Sequence, residues 1–258
     1  MTLLCLAGVF SAAIINADRA MKNIPLGFLL VSLVFALCTP PAGCAELPQQ
    51  VDLRPIFEKF SLGPRIQGDR GTCSVFTTTS ALEFALAKRR GKGAVLSVEF
   101  LNWAANQVTN VKPPSDGQFF KDCIAGFEAH GICHEEDMPY HVRWDPAVRP
   151  SPQALKAAKA LHARNAKHFV VHWINPLKKQ PGLTVEQMRE IRRVLAQGWP
   201  VAAGASHSRL LVGYEEDPAK PGGGFFITKD SGKGAWARVP WQFVQNNVGD
   251  VFWVEAVQ

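Results

Sequence analysis

Gln67-Gly68-Asp69-Arg70-Gly71-Thr72-Cys73-Ser74-Val75-Phe76 is the most informative stretch of the chain. Gly68 and Gly71 suit a turn, and the apolar Phe76, Ala81, Leu82, Phe84, Ala85 and Leu86 follow at spacings that give a mostly apolar helical face. Lys88, Arg89 and Arg90 fall where basic side chains complement a helix C-terminus, and Gly91 is a good stop. The spacing therefore predicts a helix that opens at Cys73. A thiol there feels the positive end of the helix dipole, which favours thiolate. The alternative is a buried, inert cysteine at a tight turn, and a lone cysteine does not decide between them.

Working outward, the 258 residues suffice for one large domain or two small ones with a sizeable core. Hydrophobic residues make up 47% and charged residues 19%, which excludes disorder, collagen and a charged coiled coil. No repeat is present, so solenoids and propellers are excluded as well. The net charge of +6 comes from short basic groups with acids nearby. It does not form the stripe with interleaved aromatics expected of a nucleic-acid binder, so no nucleic acid is expected as a partner.

Residues 1–45 differ from the rest and read as an N-terminal signal region. Leu3 to Ile15 and Ile24 to Leu37 are apolar runs, each shorter than the roughly 20 residues a membrane-crossing helix needs. Met21 and Lys22 precede the second run, and Thr39-Pro40-Pro41-Ala42-Gly43-Cys44-Ala45 follows it, as at a cleavable signal peptide. On this reading translation starts at Met21, cleavage follows Ala45, and the protein is exported, periplasmic or secreted. Ala42-Gly43-Cys44 is also similar to a lipoprotein signal, with Pro41 where Leu is usual. Membrane contact is expected only if Cys44 carries lipid.

Export leaves Cys73, Cys123 and Cys133 in an oxidising compartment. An odd number leaves one thiol over. Cys123 and Cys133 are ten apart and can be paired as a disulfide, with Cys73 the free one.

The stretch around Cys73 resembles the active-site segment of the papain-like cysteine peptidases, in which a Gln lies six residues before a Cys that opens the central helix. Further matches follow in order. Val51-Asp52-Leu53-Arg54 resembles the start of the mature enzymes, and Leu96-Ser97-Val98-Glu99-Phe100-Leu101 their "LSEQ-aromatic-L" segment. Gly131-Ile132-Cys133-His134-Glu135, with Pro139-Tyr140, is similar to the "GI…E…YPY" stretch, and Val212-Gly213-Tyr214 follows His207 as in the family. The ordered set spans residues 51 to about 232.

The resemblance implies a Cys–His pair. Of seven histidines, His207 follows a run of small residues, Val201 to Ser206, and lies 134 residues after Cys73, within the family's range of roughly 130–150. His172, in the strand-like run Phe169 to Ile174, is the second choice. The third member orients the imidazole and is usually an Asn in an "NSWG"-like segment. The matching segment here is Lys229-Asp230-Ser231-Gly232, so Asp230 stands for Asn and Gly232 for Trp. Val75 stands where an aromatic commonly follows the nucleophile. An Asp accepts the same hydrogen bond, but loss of the Trp is expected to leave that bond more exposed to water. Gln67 and the Cys73 N–H are implied as the oxyanion hole. No cofactor is called for. Cys123, His130, Cys133 and His134 suggest a metal cluster, but adjacent Cys133-His134 cannot readily aim at one zinc, and Phe119, Phe120, Ile124 and Phe127 suggest a helix carrying Cys123 instead.

The expected architecture is α+β and two-lobed, with a cleft between the lobes. Residues 46–66 are an extended lead-in and about 67–150 a helical lobe. A helical insert (Ser151 to Ala166), a strand (His168 to Ile174) and a helix (Val185 to Ala196) follow. A β-rich lobe spans about 198–258, with strands at Val201–Ala205, Leu210–Tyr214, Phe225–Lys229 and Val251–Val257. About twenty residues separate signal and core, too few for a long inhibitory prosegment. Folding-coupled secretion, a protein inhibitor as partner or low intrinsic activity would then keep the enzyme safe, and the expected ligand is a peptide or protein substrate. The expected activity is thiol-dependent peptide hydrolysis. The alternatives are a papain-like binding module with weak or no catalysis, motivated by Val75, Asp230 and Gly232, and a Cys-dependent acyl transferase, against which the pattern at Gln67 argues.

Overall fold

Residues 46–177 and 180–257 are described in a computed structural model. The signal-region reading of residues 1–45, including Met21 and Cys44, lies outside the described residues.

The segment expected as an extended lead-in contains a short strand, β1 (Gln50–Asp52), and a helical turn and a half, α1 (Arg54–Lys59). Pro55 presets the first turn of α1, Asp52 accepts from the Arg54 main chain at 3.0 Å, and Phe57 is fully buried beneath it. Next comes α2 (Cys73–Arg90), which opens at the thiol and closes on Gly91 in the left-handed conformation, as expected. Its predicted apolar face understates it. Every residue from Ser74 to Ala87 is buried, so the helix is enclosed on all sides.

Helix α3 (Val98–Thr109) starts at Ser97, whose hydroxyl accepts from the Phe100 N–H at 2.9 Å. Helix α4 (Phe120–His130) carries Cys123, and α5 (Pro152–Asn165) is the predicted insert. Strand β2 (Phe169–Asn175) and α6 (Val185–Ala196) follow; Thr184 and Gln187 form a reciprocal capping box at the start of α6. The remaining elements are β3 (Val201–Gly204), β4 (Arg209–Glu216), β5 (Gly224–Asp230), β6 (Ala235–Pro240), α7 (Trp241–Asn247) and β7 (Asp250–Ala256). The sequence reading did not anticipate β1, α1, β6 or α7.

All strand pairs are antiparallel, in the order β2-β7-β3-β4-β5-β6, with β1 also paired to β4. Helix α2 lies against β7, β4 and β3 on one side and against α3 and α4 on the other. One apolar core therefore runs from helices to sheet through α2. A smaller cluster of Phe100, Ala104, Cys133, Met138, Ala154 and Ala158 sits under α3 and α5. The architecture is α+β, as expected.

Candidate active site

Cys73 is the first residue of α2, so its N–H is one of the four at a helix start that have no partner inside the helix. His207 lies in the turn between β3 and β4, and Asp230 ends β5, the neighbour of β4. The sheet thus holds the second and third residues side by side, and the packing of α2 on the sheet brings the first to them. His207 Nε2 lies 2.8 Å from Asp230 Oδ1. The Cys73 thiol lies within hydrogen-bonding reach of His207.

The electrostatics follow from these contacts. Burial pushes the Cys73 thiol up, but the His207 hydrogen bond and the Ser208 main-chain N–H outweigh it, and the net shift is downward. The bond to Cys73 raises His207 above its ordinary range, burial opposes it, and Asp230 adds to the rise. Both directions favour thiolate beside imidazolium. Burial pushes Asp230 up as well, but hydrogen bonds from His207 and Arg209 hold it below the usual carboxylate range.

Asp230 is only 1% exposed, so the bond to His207 is not laid open by loss of the Trp. Its Oδ1 also accepts from the main-chain N–H of Gly232 at 2.9 Å, and Oδ2 accepts from Arg209 Nε at 2.9 Å. The Gly232 backbone covers the imidazole in the place of an indole: a Cβ there would lie 3.0 Å from both Cε1 and Nε2 of His207. Arg209 Nη1 donates to the His207 carbonyl at 3.0 Å. Arg209, the first residue of β4, escaped the sequence reading.

Gln67 is held on both sides of its amide. Ser231 Oγ donates to Oε1 at 2.7 Å, and Nε2 donates to the Arg70 carbonyl at 2.7 Å. An amide nitrogen carries two hydrogens, and Arg70 takes one of them. The Gln67 carbonyl accepts from Tyr140 Oη at 2.9 Å, which in turn lies 2.7 Å from Thr72 Oγ1, next to Cys73. Ser74 Oγ donates to the Gln118 carbonyl and ties the start of α2 to the loop between α3 and α4. A cavity of about 690 Å³ opens beside Cys73, between the starts of α2 and α4 and the ends of β3 and α7.

The other candidates lie elsewhere. His172 pairs with Glu255 at 2.9 Å and stacks on Trp253 in the edge pair β2–β7. Cys123 and Cys133 do not form the expected disulfide. Both are free thiols, buried in different apolar clusters, and burial pushes both thiols up. His130 is set edge-on against Trp103.

No family model matches the sequence, and no curated protein matches it. Solved structures do. Procathepsin L 3 from the larval midgut of Tenebrio molitor superposes with a TM-score of 0.60 at 18% identity, over 83% of this chain and 71% of its own. Xylellain, a cysteine protease from Xylella fastidiosa, gives 0.61 at 18% identity, over 83% and 88%. The fold is papain-like. The proform of the ragweed pollen cysteine protease Amb a 11 gives 0.59 at 19% identity, over 84% of this chain and 69% of its own. At these identities the likeness is one of fold, and the contacts of Cys73, His207, Asp230 and Arg209 stand on the geometry of this chain.

Proposed function

We propose that the chain is an exported papain-like cysteine peptidase acting on peptides or proteins. The observation that carries this reading is the His207 imidazole, bonded to Asp230 on one nitrogen and to the Cys73 thiol on its other side, beside an open cavity. In the proposed reaction the Cys73 thiolate attacks the scissile carbonyl carbon, forming a C–S bond while the carbonyl electron pair moves to oxygen. The oxyanion is received by the Cys73 main-chain N–H and the second amide hydrogen of Gln67. Collapse breaks the C–N bond, and the amine leaves with the His207 proton. Water, deprotonated by His207, then attacks the thioester, releasing the acid and restoring the thiolate–imidazolium pair. Asp230 keeps the ring oriented and stabilises its charge, and Arg209 and Gly232 fix Asp230.

The test compares the chain with Cys73→Ala and His207→Ala for labelling by an epoxide or iodoacetamide probe and for cleavage of a denatured protein. Fast labelling of Cys73 that needs His207, with proteolysis that needs both, is expected. Labelling no faster than a free thiol at neutral pH would replace the peptidase by an inactive binding module. Fast labelling with amine incorporation and no cleavage would replace it by an acyl transferase.

A further inference from the structure

Lys229 precedes Asp230 on β5 and is 6% exposed. Its ammonium lies 3.6 Å from Glu83 Oε2, too far for a hydrogen bond, and among the described residues Nζ has no hydrogen-bond partner. Burial lowers it from its ordinary 10.5 to about 8; Glu83 of α2 opposes the fall and Arg65 adds to it. Its neighbours Leu210 on β4 and Trp236 on β6, and the Phe57 ring of α1, carry no charge. Asp230, next on the strand, is bonded to His207 and Arg209. Glu83 is served without this lysine, since its Oε1 accepts from Arg65 Nη2 at 2.7 Å and from the Leu96 N–H at 2.9 Å. A buried ammonium whose N–H groups are unused is costly, so its surroundings decide its role.

Lys229 lines a cavity of about 10 Å³, the room that the centre of one water occupies. Arg65, Thr77, Ser80 and Ser231 line it as well, with Phe76 and Leu210. The Ser231 hydroxyl donates its proton to Gln67 Oε1 at 2.7 Å, which leaves it lone pairs to accept with. An ammonium that only donates and a hydroxyl left to accept are matched by one molecule that does both, water. Charge points the same way. Arg65 and Lys229 stand against Glu83 and Glu135, so the cavity suits a neutral guest better than an anion.

We infer that Lys229 is a positioning residue of the oxyanion hole: through one water in this cavity its ammonium makes the Ser231 hydroxyl a stronger donor to Gln67. Hydrogen bonds in a chain polarise one another, so the amide hydrogen of Gln67 that the Arg70 carbonyl does not take becomes a better donor to developing negative charge. No proton changes place. The inference rests on the peptidase reading for the charge that is stabilised, whereas the chain from Lys229 to Gln67 exists without turnover.

That chain is read from the Gln67 side-chain amide signals of 15N-labelled Cys73→Ala protein, assigned by their loss in Gln67→Ala. They are expected to move upfield in a step near pH 8, as Lys229 gives up its proton, and to lose that step in Lys229→Met. Ser231→Ala should move the Gln67 signals and abolish the step too, which keeps the test open should Lys229→Met not fold. Absence of a step, or its survival in either variant, would overturn the inference. With Cys73 intact, Lys229→Met is expected to lower kcat for peptide cleavage about threefold to tenfold at unchanged KM. Alkylation of Cys73 by iodoacetamide should keep its rate, because displacement at a saturated carbon forms no oxyanion. An equal loss in cleavage and alkylation would make Lys229 a structural part and overturn the inference. A Gln67 step in a chain that cleaves no peptide would defeat the peptidase reading alone, and cleavage without the step would defeat the relay alone.

Discussion

Two nitrogens of Arg209 reach the site, Nε to Asp230 Oδ2 and Nη1 to the His207 carbonyl, so one side chain fixes an acid and the backbone of its partner. Its charge also opposes the imidazolium of His207. Arg209→Gln is therefore expected to lower kcat/KM by about tenfold to a hundredfold, and to move the alkaline limb of the pH–rate profile to higher pH. The sign follows because removal of a positive charge lets His207 hold its proton longer. A steady-state profile checks both; lowered activity with an unmoved limb would leave Arg209 only a structural part. Asp250, whose carboxyl burial pushes up at the start of β7, makes a prediction of the opposite kind. Its folded value of about 6 exceeds the ordinary 3.8, so between about pH 4 and 6 the folded state holds the extra proton, and stability falls as pH rises through that window. Asp250→Asn should melt a few degrees higher than the unsubstituted chain above pH 6, and the gap should close toward pH 4, as calorimetry can show. Cys73, His207, Asp230 and Gln67 were legible because they stand in ordered motifs. Arg209 and Asp250 were not, because each acquires its meaning from surroundings brought near only by folding.

At the scale of elements, Arg70 ties the loop before α2 to three other segments. Its guanidinium donates to Glu99 on α3 at 2.6 Å, to Asp116 at 2.8 Å and to the His141 carbonyl at 2.6 Å, and lies over the rings of Tyr140 and Trp144. The Arg70 and Glu99 side chains are almost wholly buried. Arg70→Met leaves Glu99 without its cation and is expected to cost about 3–5 kcal/mol in urea unfolding. The Cys73 side of the site should loosen with it, since Gln67 bonds to the Arg70 carbonyl. Much of the rest was readable: α2, α5, α6 and the five strands β2, β3, β4, β5 and β7 lie within a few residues of their expected bounds, and α4 is the helix expected to carry Cys123. Strands β1 and β6 and helices α1 and α7 were missed for a common reason. Each is short and carries at most two buried residues, so no apolar run or period stands out, whereas the equally short β3, β5 and β7 are almost wholly buried.

Across the whole molecule, the cysteines show where reading along the chain fails. A spacing of ten says nothing about direction. Cys123 turns inward under α2, whereas Cys133 enters the smaller cluster under α3 and α5. Burial pushes Cys133 up to about 12 and Cys123 further still. In native protein a thiol reagent at pH 7 should label Cys73 rapidly and the other two only on unfolding, and a reductant should leave Tm unchanged; mass spectrometry and a melt check each. The α+β architecture was predictable because the ordered motifs extend over most of the described chain. The unity of the core was not, since the lobes read as separate, whereas α2 packs between helices and sheet and α4 sets Phe120 against Phe252 of β7 and Phe127 against Phe169 of β2.

That enclosure governs how the protein fails on heating. Cys73 is seated on the most deeply buried helix of the described chain, so withdrawing it from the imidazole requires displacing the centre of the structure and not a loop. Heat should therefore abolish Cys73 reactivity and melt the far-UV signal over the same few degrees, with no dormant yet folded state in between.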